Sequence, residues 1–99
     1  MDNQKQGIIF ALKDIDFTTN KIIESLESGD LDKAHEGISI MLMQGMNHFG
    51  PQSPAMQQFF PVWDSIKSYI ESKDLDSAIG QTKIWQRQLH EIISMVEQS

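Results

Sequence analysis

The stretches Glu27-Ser-Gly-Asp-Leu-Asp-Lys-Ala34 and Glu71-Ser-Lys-Asp-Leu-Asp-Ser-Ala78 are one turn written twice, 44 residues apart. Each reads as the end of one helix and the start of the next. Gly29 stands where a helix finishes in the left-handed conformation that glycine adopts most cheaply. Asp30 and Asp74 stand where a side-chain oxygen can accept from the free N–H groups of a following first turn. Asp32 and Asp76 fall inside that turn, where the helix dipole favours a negative charge.

Outward from both turns, the stripe positions recur at steps of three and four, the spacing of a helix face. The first turn is preceded by Ile8, Leu12, Ile15, Thr19, Ile22 and Leu26, and followed by Leu31, Ala34, Ile38, Met41, Gly45 and His48. The second is preceded by Met56, Phe59, Trp63, Ile66 and Ile70, and followed by Leu75, Ala78, Thr82, Trp85, Leu89, Ile92 and Val96. Asp2 or Asn3 is expected to cap the first helix. Gly50-Pro51 stops the second, and Ser53-Pro54 starts the third with a hydroxyl cap and a proline at the first helical position. Pro61 either kinks that third helix or divides it. No window alternates with period two, so strands are not expected.

Shifted by 44, the stripes superpose without a gap, and Ile22 meets Ile66, Ile40 meets Ile84 and Gln44 meets Gln88. The simplest account is an internal repeat of one αα-hairpin, about 3–49 and again about 54–97, joined by a loop at 50–53. Either hairpin alone leaves an apolar face uncovered. Docking the two face to face predicts one domain over 1–99, an all-α four-helix bundle with approximate two-fold symmetry. Over Glu27–Ala34 the turn resembles the inter-helix turn of tetratricopeptide repeats. The period here is longer than that family's ~34 residues, and the family's first-helix aromatic and glycine positions are missing, so the likeness is one of turn chemistry.

Composition narrows function. Eight Lys and Arg against fourteen Asp and Glu give a net charge of −6, a field that repels phosphate backbones and argues against nucleic-acid binding. A row of acids imitating DNA would be interrupted by Lys5, Lys13, Lys21 and Lys33. There is no cysteine, hence no disulfide, thiolate metal site or thiol nucleophile. The longest apolar run, Ile8–Leu12, is far shorter than the ~20 residues that span a bilayer, and no secretory pattern surrounds it. The expectation is a cytoplasmic chain without a membrane partner.

No phosphate loop, Ser-His-Asp order or nucleophile elbow is present, and a bundle this small fills its interior with its own side chains, so an enzyme is not expected. No cofactor is implied. The alternative is a small metal- or ligand-binding bundle using Asp32, His35, His48 and His90. Against it, no Glu-x-x-His of the di-iron kind occurs, and His35 and His48 align with Ile79 and Ile92 at the repeat offset. Half-buried packing positions suit both histidines. The paired acids lack the further oxygens, glycine and glutamate of a calcium loop.

What the stripes leave over is apolar. Residues 38–46 read Ile-Ser-Ile-Met-Leu-Met-Gln-Gly-Met, greasy on more than one face. Ile38, Met41 and Leu42 serve the core, so Ile40, Met43 and Met46 point elsewhere, as do Ile84 and, next to Phe59, Phe60. The Phe10/Phe17 pair adds aromatics beyond one stripe. Burying such a side chain is worth ~1.5–3 kcal/mol. These five positions are therefore expected to meet a protein partner, first of all a second copy of the chain, in an adaptor, regulator or chaperone-like binder.

Overall fold

The computed structural model describes residues 2–99. Its helices are α1 (Asp2–Glu27), α2 (Leu31–Phe49), α3 (Pro54–Glu71) and α4 (Leu75–Gln98), with no strand among the described residues. α1 packs on α2 and α4, α3 packs on the same two, and the backbones of the diagonal pairs stay apart. This is the expected four-helix bundle, with Cα extents of 44 × 24 × 17 Å.

The two hairpin turns close identically. The N–H of Gly29 donates to the Leu26 carbonyl and that of Asp30 to Ser25; Lys73 donates to Ile70 and Asp74 to Tyr69. These are the paired bonds of a Schellman ending, with a left-handed residue (Gly29 at φ 79°, Lys73 at φ 63°) at the first position past the helix. The aspartate that completes each ending also caps the next helix. Asp30 Oδ1 accepts from the Lys33 N–H at 3.1 Å, and Asp74 Oδ1 from the Ser77 N–H at 3.2 Å. One short turn thus satisfies two helix ends at once. At the opposite end Ser53 caps α3, accepting from the Met56 N–H, with Pro54 as the first helical residue.

α3 runs unbroken through Pro61. The proline removes one donor from the ladder and leaves the Gln57 carbonyl without its usual partner. Pro61 and Gln57 are both exposed, so the missing bond falls on the solvent side of the helix. α1 already contains Asp2 and Asn3, so neither caps it as expected, and the residue ahead of Asp2 lies outside the described chain.

The stripes converge as read for most positions, with corrections at their ends and edges. Leu12, Ile15, Thr19, Ile22, Leu26, Ala34, Ile38, Met41, Met56, Phe59, Trp63, Ile66, Ile70, Ala78, Thr82, Trp85 and Leu89 are all buried. Ile8 is exposed instead of leading the first stripe. Phe10 lies against His48 in the last turn of α2, and Lys13 reaches Glu97 near the end of α4, so α1 projects past both neighbours before residue 10. In α4 the buried residue is Ile93, while Ile92 is half-buried. α3 begins at Pro54 and gives out opposite the last turns of α4, which then have α1 as their support. Leu42, also assigned to the core, is half-buried at its edge.

Size complementarity joins the halves. Phe59 and Trp63 stack at 5.5 Å, and Trp85 meets both edge-on at 5.0 and 5.5 Å. Opposite this aromatic mass, hairpin 1 supplies small residues. Thr19 Oγ1 accepts from Trp85 Nε1 at 3.1 Å and donates to the Ile15 carbonyl at 2.9 Å. A Cβ on Gly45 would lie 2.9 Å from the Trp63 ring and 2.6 Å from Met56 Sδ, and one on Gly37 would lie 2.6 Å from Ile22 Cγ1.

The same substitution should therefore have opposite signs along the chain. Gly80→Ala, which meets nothing within 4 Å, should stabilise the helix by about 1 kcal/mol. Gly45→Ala should destabilise by ~1–3 kcal/mol through overpacking, despite the better helix former. Lys73→Gly should stabilise by about 1 kcal/mol by removing a left-handed lysine. Thermal unfolding checks all three, at ~4–8 °C per kcal/mol for a domain of this size. Thr19→Val, which keeps the shape and strands the Trp85 indole, should cost ~1–3 kcal/mol.

Candidate functional site

The seams between neighbouring helices differ in chemistry. The α1/α4 seam is polar. Asp16 Oδ1 lies 2.9 Å from His90 Nε2 and accepts from Gln86 Nε2 at 3.2 Å, while that amide also donates to Asn20 Oδ1. Lys83 pairs with Glu27 at 3.4 Å and Lys13 with Glu97 at 3.7 Å. Spread over solvent-exposed groups, such pairs set alignment more than stability, at ~0–1 kcal/mol each.

The α1/α2 seam is different. Thr18 Oγ1 donates to Gln44 Oε1 at 2.8 Å across its floor, and Asp14 meets His48 at 3.1 Å at one end. Phe17 and Ile40 line the groove from opposite helices. Phe10 lies on the Phe17 stripe, at i−7, and Met43 on the Ile40 stripe, at i+3. Phe10 is 68% and Phe17 63% exposed. Lys21 Nζ lies over the Phe17 ring, 5.4 Å from its centre.

Of the five predicted interface residues, Ile40, Met43, Met46 and Ile84 are exposed, from 36% at Met46 to 58% at Met43. Phe60 is not free in the way expected. It is half-buried, packs edge-on to Trp63 at 6.5 Å and lines a groove between α2 and α3. Nor do the five form one patch. α2 and α4 are diagonal in the bundle, so Ile84 sits on the opposite hairpin from Ile40 and Met43. Ile40 instead shares the α1/α2 groove with Phe17, and Phe10, seven residues earlier on α1 and equally off the core stripe, is exposed as well. Met95, 69% exposed near the end of α4, had no counterpart in the sequence reading.

Asp32, His35, His48 and His90 are not brought together. Among the described residues no three of His, Asp and Glu assemble as a metal-holding group. Each histidine faces one carboxylate of a neighbouring helix: His35 with Glu71 at 3.5 Å, His48 with Asp14 at 3.1 Å, His90 with Asp16 at 2.9 Å. His35 is half-buried as anticipated, and His48 stands in the last turn of α2, as suits a helix C-terminus, with its side chain 28% exposed. The partners come from distant parts of the chain, so no local spacing announced them. Asp32 is exposed in the first turn of α2.

No known protein-family model matches the chain, and no similar curated protein or solved structure was found. Among the described residues, no helix is long and apolar enough to cross a membrane.

With three separate one-carboxylate pairs, chelation should leave the fold untouched. Protein purified without a His-tag should show the same thermal midpoint in EDTA and in excess Zn²⁺. A rise with zinc that saturates near one equivalent would return the histidines to a metal site.

Proposed function

We propose that this chain is a non-enzymatic protein–protein interaction module whose first partner is a second copy of itself. The carrying observation is the exposure of four large apolar side chains on the two helices of the first hairpin, Phe10 and Phe17 on α1 and Ile40 and Met43 on α2, with Phe17 and Ile40 lining one groove. Large aromatics left this open are uncommon on a monomer surface, and their burial is the natural source of association energy. α2 is about 28 Å long by its rise per residue, and two helices side by side offer a face close to the ~800 Å² per partner of a standard interface.

Two features favour self-association. A two-fold pairing of this face sets each copy's Phe10 and Phe17 against apolar surface of the other, and closed two-fold pairs are the commonest soluble assemblies. The groove also carries both signs of charge, with Lys21 and Lys33 among Asp14, Glu24, Asp30 and Glu36, so charges of one copy can meet opposite charges of the other. The net charge of −6 works against any acidic partner, but screening over ~8 Å confines that to the rim at physiological salt. Ile84 and Met95, on the other hairpin, give a second apolar surface, which suits an adaptor role in a cytoplasmic setting.

Sedimentation equilibrium tests the pairing. The native chain should be dimeric at micromolar concentrations, and the Phe17→Glu/Ile40→Glu double variant monomeric with an unchanged helical circular dichroism spectrum. Both residues are exposed, so folding should survive the charges. A native chain that stays monomeric at high micromolar concentration would refute self-association.

A further inference from the structure

α4 occupies a corner of the bundle, between α1 and α3 and diagonal to α2. Its outward stripe reads Gly80, Ile84, Arg87, Glu91, Met95 and Gln98, at steps of three and four, and every one is exposed. Ile84 is 45% and Met95 69% exposed. The stripe is therefore apolar at two positions about three turns apart and charged between them.

Those two charges are open. Arg87, the chain's one arginine, has no carboxylate within ion-pair distance among the described residues, and Glu91 has no cation, although they lie four residues apart. With the cation first, that is the poorer order for a pair within one helix. Lys83 and His90 beside them are engaged by Glu27 and Asp16 of α1. Arg87 opens on the α1 side of the stripe and Glu91 on the α3 side. Only roughly 40° separates them around the helix, so both stand near its crest.

We propose that α4 is a second self-association surface, on which another copy of the chain docks its own α4 antiparallel. A two-fold axis crossing the helix at the level of Leu89 sets Arg87 against Glu91 of the other copy, and Glu91 against its Arg87. Ile84 then lies opposite Met95 of the other copy, twice over. Gly80, whose missing Cβ would meet nothing within 4 Å, faces the longer Gln98. Moving the axis to Arg87 or to Glu91 brings like charges face to face, and so does parallel pairing. The charges thus fix direction and register together. The occupant is another copy because the stripe is complementary to itself read backwards. One helix wide, the contact falls short of the ~800 Å² per partner of a standard interface, so it is weaker than the face on hairpin 1. It does not rest on that face.

Disulfide trapping tests it, since the chain has no cysteine of its own. The Phe17→Glu/Ile40→Glu variant, in which the hairpin 1 face is silenced, carries in addition either Ile84→Cys or Met95→Cys. Oxidation is carried out at about 1 mM protein and physiological salt, where weak contacts populate. The mixture of the two chains should give a covalent dimer. Either chain alone should give about tenfold less, because like positions lie roughly 15 Å or more apart along the pair. Arg87→Glu in both chains should lower the mixed yield about tenfold, and Arg87→Glu in one with Glu91→Arg in the other should restore it. Absence of the mixed dimer, an equal yield from a single chain, or a yield indifferent to Arg87→Glu would each overturn the assignment. All the substituted positions are exposed, so the fold is retained in every variant. With the hairpin 1 face silenced throughout, the outcome is separate from whether that face pairs.

Discussion

The hydrogen bond from Trp85 Nε1 to Thr19 Oγ1 joins residues 66 positions apart and ties the first helix to the last. A four-helix bundle with short loops has its weakest covalent coupling between the helices at its two ends, and this contact supplies what the chain does not. It also fixes size. Thr19 is small enough to admit an indole and polar enough to satisfy it, and its own hydroxyl proton goes to the Ile15 carbonyl of the preceding turn. Glycine at position 45 does the same for Trp63, letting α2 approach until the ring touches its backbone. The two hairpins are thus alike in pattern and unlike in bulk, with small residues on the first receiving aromatics from the second.

That division explains why the surface is greasy. Each helix has room for one core stripe, because the interior between four helices is set by the width of Trp63, Trp85 and Phe59. Apolar residues beyond the stripe are displaced outward whatever their hydrophobicity. On α2 this sends Ile40 to the groove shared with α1, which Phe17 also lines, and leaves Met43 exposed, as Phe10 is on α1. On α4 it sends Ile84 and Met95 to the far side. The polar α1/α4 seam, with its Asp16, His90, Gln86 and Asn20 network, shows that the sequence does place hydrophilic residues on an outer seam. The exposed apolar side chains Phe17 and Ile40 stand among charged and polar neighbours in the α1/α2 groove, so they are a property of those positions and not of the bundle in general.

Much of this was legible in the residues. The duplicated turn named both hairpins, because a Schellman ending and an aspartate cap are local events written in a few consecutive residues. The stripes named the core because helix periodicity is local as well. What failed was what depends on where helices end relative to one another. Ile8 overhangs because α1 is longer than α2, and Ile93 replaces Ile92 because α3 stops first. The site suffered for the same reason. Ile40 and Ile84 were equivalent by repeat offset, yet offset says nothing about which corner of the bundle a helix occupies. Phe60 lost its freedom to a groove that only the packing of α2 on α3 creates, and the histidines found carboxylates across seams that no spacing reveals.

Pro61 is where these lines of reasoning meet. A proline in a helix interior forfeits a hydrogen bond and strains the preceding turn, at a cost of ~3 kcal/mol or more when nothing compensates. Here the broken bond faces water at Gln57, which lowers that cost, and the ring itself forms part of the α2/α3 groove wall. A rigid pyrrolidine has no rotamers to freeze, so it presents apolar surface with less conformational entropy to lose than a leucine in the same place. The groove then combines a fixed wall, an edge-on Phe60, and an indole ring held in place by stacking on Phe59. Preformed concavity of this sort is what a core dictated only by stability would have filled.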